Sequence, residues 1–230
     1  MIKKTLIVGD IHGNYQALKS LLTNASFDYE NDQIIVLGDI CDGNPYVDQC
    51  IDELLKIKHC TFILGNHDAW ALQWMKFGIE LPIWYHQGGC HTIASYNHDY
   101  VTVPQLHIDF LEGSVLYQKI KTKAGISICV HGGFNPEKSI ETHDNEFLMW
   151  DRSLCQYAKN DIIPAYQHVY VGHTSTQFFT QDPYSNYPLH LNNLWMLDTG
   201  AGWYGPLSGI WHETQQIVQS HQQVSTTLDV

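Results

Sequence analysis

This 230-residue chain predicts an α/β fold of two stacked mixed β-sheets flanked by helices, drifting toward α+β in its second half. The first observation is a repeated local pattern. The short apolar run Leu6-Ile7-Val8 enters Gly9-Asp10-Ile11-His12-Gly13, and the same strand-then-loop logic returns at Gly38-Asp39-Ile40-Cys41-Asp42, Gly65-Asn66-His67-Asp68, His131-Gly132-Gly133 and Gly172-His173-Thr174. Each run ends beside a glycine and an oxygen or imidazole group, which delivers side chains to one edge of a sheet, where open α/β folds place their ligands. The second observation is regular strand–helix alternation in the first third of the chain. The third is a later region of short apolar runs separated by turns.

In order, Leu6 to Val8 is a buried strand, and Asn14 caps a helix whose apolar face is Ala17, Leu18, Leu21 and Leu22, at spacings of three and four. Ile34 to Leu37 is the next strand. Pro45 stands where a first helical turn begins, Val47, Ile51, Leu54 and Leu55 give that helix one apolar face, and Thr61 to Leu64 is the third strand. Residues Ala69 to Phe77 read as helix. The segment from Leu81 to Tyr100, rich in Trp, Tyr, Gly and His, reads as an irregular cap over the loops. Val115 to Ile120 and Ile126 to Val130 form a hairpin about Ala124-Gly125. Val169 to Gly172, Leu194 to Leu197 and Leu207 to Val218 suggest a second, mostly antiparallel sheet. The expectation is one domain over residues 1–220, with a frayed tail over 221–230.

Composition excludes several functions. With only 12 Lys and Arg and a net charge of -12, the chain lacks the clustered cations that an extended nucleic-acid surface needs. The apolar stretch before Gly9 is too short for a signal-peptide core and no run reaches a membrane span, so a cytoplasmic protein is expected. The six cysteines, Cys41, Cys50, Cys60, Cys90, Cys129 and Cys155, form no CxxC pair and read as reduced core residues. The loop groups of two Asp, one Asn and three His mix nitrogen and oxygen without thiolate, which suits manganese, iron(II) or zinc in hydrolysis better than a structural zinc.

Taken together, these loops with Gln87-Gly88-Gly89, Trp150-Asp151-Arg152 and Leu197-Asp198-Thr199-Gly200-Ala201 resemble, in order and across nearly the whole chain, the calcineurin-like metallophosphoesterases. Within that family the similarity is to the bacterial and phage PPP-type serine/threonine phosphatases. The resemblance implies the metallophosphoesterase fold and two divalent metal ions, with manganese expected ahead of iron or zinc. It implies that Asp10, His12 and Asp39 hold one ion, that Asp39, Asn66, His131 and His173 hold the other, and that Asp39 bridges them.

Two cations about 3.5 to 4 Å apart activate a shared hydroxide for direct attack on phosphorus and neutralise the phosphoryl oxygens. The leaving oxygen still needs a proton. His67, next to Asn66, is the expected general acid, with Asp42 orienting it, while Arg152 and Asn66 face the substrate phosphate. The chain departs from the PPP pattern where arginines grip phosphate: Gly43 follows the second aspartate, and Leu64 precedes Gly-Asn-His. The expected activity is hydrolysis of phosphoserine and phosphothreonine in protein or of another small phosphoester. The alternatives are a diadenosine-tetraphosphatase-like nucleotide hydrolase or phosphodiesterase, and, in a different class, an inactive phosphatase-fold binding protein.

Overall fold

In the computed structural model, which describes residues 2–97, 102–182 and 185–221, alternate residues of two face-to-face sheets build three cores. The first sheet has the order β10-β9-β1-β2-β3, from β1 (Thr5–Val8), β2 (Gln33–Val36), β3 (His59–Phe62), β9 (Ser208–Trp211) and β10 (Ile217–Gln219). The second has the order β4-β5-β6-β8-β7, from β4 (Tyr117–Thr122), β5 (Gly125–Val130), β6 (Val169–Val171), β7 (Leu189–Leu191) and β8 (Leu194–Met196). Ile7, Ile35 and Ile210 of one sheet meet Cys129, Tyr170 and Trp195 of the other between the layers. Because successive strand residues point to opposite faces, Leu6, Val8, Ile34 and Val36 face outward onto α1 (Tyr15–Asn24) and α2 (Val47–Leu55). Ile128, Val130, Val169 and Met196 do the same toward α7 (Asn145–Trp150) and α8 (Ser153–Ala158).

Most early elements stand where the sequence places them. Asn14 Oδ1 accepts the Ala17 N–H at 3.1 Å, and Ala17, Leu18, Leu21 and Leu22 are buried. The helix α3 (Asn66–Phe77) starts three residues before the expected Ala69, because Gly65 caps it and the Asp68 side chain accepts the Gly65 N–H. The hairpin about Ala124-Gly125 forms β4 and β5. All six cysteines are free thiols.

Three expectations are corrected. The run Leu207 to Val218 is not in the second sheet: it forms β9 and β10, antiparallel strands on the β1 side of the first. The second sheet is parallel at its centre, β5 with β6 and β6 with β8, because the chain crosses over through α9 (Thr176–Thr180) before β8. Strands buried on both faces are apolar throughout, so their composition carries no direction. The segment after Leu81 is helical, with α4 (Pro82–Trp84), a π-turn over Tyr85–Gly89 and α5 (Cys90–Asn97). Its helical period is hidden because Gln87 and Gly88 break the regular backbone, Gly88 at φ 112°. A further helix, α6 (Gln105–Glu112), packs on α2 and α3. Residues 98–100 of the expected cap and 222–230 of the expected tail lie outside the described residues. No described helix is long and apolar enough to cross a membrane.

Candidate metal centre

The loops after β1 and β2 interlock. The N–H groups of Ile11 and His12 both donate to the Asp39 carbonyl, at 3.0 and 2.8 Å, and Gly13 N–H donates to Ile40 at 2.8 Å. This interlocking turns both chains sharply: His12, Asp39 and Asp42 have φ of 49°, 49° and 71°, and His173 has 59°. Non-glycine residues in the left-handed region cost about 1–3 kcal/mol each and persist only where their surroundings over-determine them. Asp68 supplies much of that determination. Its fully buried carboxylate accepts the N–H groups of Asp39 (2.7 Å), Ile40 (2.9 Å), Cys41 (3.1 Å) and Gly65 (2.9 Å), tying the second loop to the third.

These loops bring the expected ligands together. Donor atoms of Asp10, His12 and Asp39 lie within 4.8 Å of one another, as do those of Asp39, His131 and His173, so Asp39 belongs to both groups. His12 Nδ1 donates to the Cys41 carbonyl at 2.9 Å and His131 Nδ1 to the Leu37 carbonyl at 2.7 Å, which aims each Nε2 inward. His131 Nε2 then sits 3.0 Å from Asn66 Oδ1 and 3.3 Å from Asp39 Oδ2. The His173 N–H donates to Asp10 Oδ2 at 2.9 Å.

The electrostatics fit cations. Among the described residues, Asp10 Oδ1 and His173 Nε2 are buried acceptors without a partner. Burial, then the charges of Asp198 and Asp39, push the Asp10 carboxyl well above its ordinary range, a repulsion that cations would relieve. Burial also pushes Asp39 up, but His131, His67 and His12 outweigh it and hold this carboxyl low. Burial and the neighbouring His131 press His173 down to about 3, leaving a neutral imidazole of the form that could ligate a metal. The mixed nitrogen and oxygen donors suit a borderline or hard divalent ion.

Beside this cluster is a cavity of about 550 Å³ lined by His12, Asp39, Asn66, His67, Arg152 and His173. Asp10, Asp42 and His131 stand behind its wall at 2%, 0% and 0% exposure. The His67 N–H donates to Asp39 Oδ1 at 3.0 Å, and its Nδ1 lies 2.6 Å from Asp42 Oδ2. Burial disfavours charge on this ring, yet Asp39 and Asp42 raise it to about 9. Arg152 caps α8 at the exposed rim. Gly43 is at φ 76°, and a Cβ there would lie 2.8 Å from His12 Cβ, so the loop as folded excludes an arginine.

Other groups at the site were missed from sequence. Asp68 carried no signal beyond following His67. Asp198, although its motif is recognisable, had no assigned role; it is buried on the cavity wall near Asp10. Trp70 and Trp150 meet edge to face at 5.1 Å and brace His67 and His173 respectively. Lys159 adds a second cation to the lining.

A family model described as calcineurin-like phosphoesterase matches residues 3–197. Serine/threonine-protein phosphatase 1 of Salmonella typhimurium is 22% identical over 207 residues, 88% of each chain. The symmetrical bis(5'-nucleosyl)-tetraphosphatase of Ectopseudomonas mendocina is 40% identical over 66 residues, but this stretch spans only 28% of this chain and 24% of that protein. A crystal structure of a candidate diadenosine tetraphosphatase shares the fold, with a TM-score of 0.71 at 19% identity over 94% of this chain and 92% of that one. With the match running from β1 to the end of β8, through every loop that carries a carboxylate or imidazole of the cluster, the chain belongs to the calcineurin-like phosphoesterase family and is a phosphoester hydrolase.

Proposed function

We propose that this chain is a phosphomonoesterase acting on phosphoserine and phosphothreonine in protein, with two divalent ions held by Asp10, His12 and Asp39 and by Asp39, Asn66, His131 and His173. The observation that carries the reading is the His67–Asp42 pair at 2.6 Å, its imidazole 5.1 Å from the His12 ring and open to the cavity. When bound, such ions lower the pKa of a shared water and polarise the phosphoryl oxygens. Manganese suits the thiolate-free donor set.

The protein's own groups do the rest. Arg152 and Asn66 orient the phosphoryl group, the arginine as a bidentate fork. His67, kept charged by Asp39 and Asp42, gives the Nε2 proton to the leaving alkoxide, which a serine or threonine side chain needs because its hydroxyl is a poor acid. Asp42 then holds the ring in place as it loses charge.

A second reading has its own support. Phe178 and Trp203 line the same cavity at 80% and 64% exposure, and such faces suit a nucleobase, so a nucleoside polyphosphate is the alternative substrate. A panel of phosphopeptides, dinucleoside polyphosphates, cyclic nucleotides and bis-p-nitrophenyl phosphate, assayed with manganese, tests the proposal. It expects the highest kcat/KM on phosphopeptides. A dinucleoside polyphosphate preferred tenfold or more would replace the first reading by the second, and no turnover on any member would refute both.

A further inference from the structure

We infer that Trp84 and Thr92, contributed by the segment after α3, are positioning residues for the general acid: they fix the Asp42 carboxylate and so dictate which nitrogen of His67 carries the proton toward the cavity. The inference rests on the proposed role of His67 and goes beyond it. Asp42 is wholly buried and lies in the left-handed region at φ 71°, so neither its side chain nor its backbone would hold this state unaided. Thr92 grips both. Its Oγ1 accepts the Asp42 N–H at 2.8 Å and lies 2.6 Å from Asp42 Oδ1. Having accepted the N–H, the hydroxyl turns its proton to the carboxylate. The Trp84 indole, which can only donate, reaches both oxygens, at 3.0 Å to Oδ1 and 2.9 Å to Oδ2.

The carboxylate is therefore met by donors from Trp84 and Thr92, and its remaining partner among the described residues, His67 Nδ1 at 2.6 Å, must also donate. That leaves Nε2 as the atom exchanging a proton with the leaving group. Trp84 and Thr92 are both fully buried, so water does not compete for these bonds. The backbone is shaped for the contact. Gly88, at φ 112°, comes so close that a Cβ would stand 2.9 Å from Gly43 N and 3.1 Å from Asp42 Cβ, and Gly89 lies flat on the indole, where a Cβ would meet Trp84 Cε2 at 2.5 Å. The π-turn is thus a seat for the Asp42-Gly43 corner, and the segment acts on catalysis without touching substrate through Trp84 or Thr92.

The test compares Thr92→Val, which keeps shape and loses the hydroxyl, with Thr92→Ser, which keeps the hydroxyl, and adds Trp84→Phe. Two readouts are taken: the ring 15N and Nδ1–H signals of His67, and kcat on an alkyl phosphate against p-nitrophenyl phosphate. The expected result for Thr92→Val is loss or upfield movement of the hydrogen-bonded Nδ1–H signal, a fall of about tenfold in kcat on the alkyl phosphate, a smaller fall on the aryl one and unchanged KM. Thr92→Ser should restore signal and rate. An unaltered His67 spectrum in Thr92→Val, or equal losses on both substrates with Thr92→Ser no better than valine, would overturn the inference. Should Trp84→Phe fail to fold, the Thr92 pair still decides it. The spectrum needs no turnover, so a wild-type chain without activity would remove the proposed function while the ring signals still judge the clamp.

Discussion

Gly65→Ala is the sharpest probe of Asp39. Gly65 has φ -92° and ψ 169°, a conformation alanine adopts freely, so backbone strain is absent and the added methyl is the whole perturbation. An alanine Cβ would stand 2.8 Å from Asp39 Cγ and 2.5 Å from Asp39 N, with Oδ1 nearer still. Carbon atoms settle at about 3.5 Å or more, so the Cγ contact alone makes the carboxylate retreat by at least about 0.7 Å, and the Oδ1 contact by more. Metal–ligand lengths tolerate only about 0.2 Å, and a misplacement near 1 Å in a catalytic constellation costs about 10²-fold, or about 2.7 kcal/mol of barrier. We expect Gly65→Ala to lose about 30- to 100-fold in kcat/KM on p-nitrophenyl phosphate with manganese, and to bind less than two metal ions per chain by elemental analysis. Gly78→Ala is the control. Gly78 sits at φ 68° with no atom of the described residues within 4 Å of where a Cβ would stand, so it should lower stability by about 1 kcal/mol and leave kcat/KM alone. Two ions per chain and kcat/KM within about threefold of the parent in Gly65→Ala would refute the placement of Asp39 at the shared position.

Arg152→Ala should reduce kcat/KM by more than about tenfold at unchanged metal content; a change within about twofold puts the phosphate clamp elsewhere. His67→Asn should retain metal and lose about 10²-fold or more on an alkyl phosphate but less on an aryl one, and equal losses would reject the general acid. Because Asp39 and Asp42 raise His67 to about 9, its acid form is present at neutral pH and lost as pH rises through that value. The alkyl phosphate rate should therefore fall there, and a rate still climbing well above pH 9 would contradict the assignment. Asp68→Ala strips an acceptor from four N–H groups, of Asp39, Ile40, Cys41 and Gly65, and should destabilise the fold by about 3 kcal/mol or more in denaturant unfolding; a loss below about 1 kcal/mol would deny it that role.

The site was more legible in the sequence than the sheets around it. Asp10, His12, Asp39, Asn66, His131 and His173 each follow a short apolar strand at a turn, a local signal that survives without knowing how strands pair. Strand order is not local. Nothing in Leu207 to Val218 says that Ile210 pairs with Ile7, because an apolar residue fits either sheet equally well. The left-handed backbone at His12 and His173 was invisible for a different reason: histidine enters that region more readily than most residues but does not demand it, and it arises here from interlocked loops and from the Asp10 bond. Trp84 and Thr92 lie 42 and 50 residues from Asp42, so their grip on it appears only once the chain is folded.

The position of β1 between β2 and β9 bears on how the chain folds as it is made. Leu6, Ile7 and Val8 are fully buried, yet one flank of this strand waits for Gly209 to Trp211, some two hundred residues later. Synthesis proceeds at about 5–20 residues per second, so for about ten seconds or more a nascent chain presents an unpaired apolar edge beside a βαβ unit that has otherwise formed. Such an edge is a template for pairing with other chains. Expression yield should therefore depend on chaperone supply and growth temperature more steeply than on the stability of the finished fold, and charges placed on the outer faces of β9 and β10 will not relieve it, because the vulnerable interval ends before those strands exist.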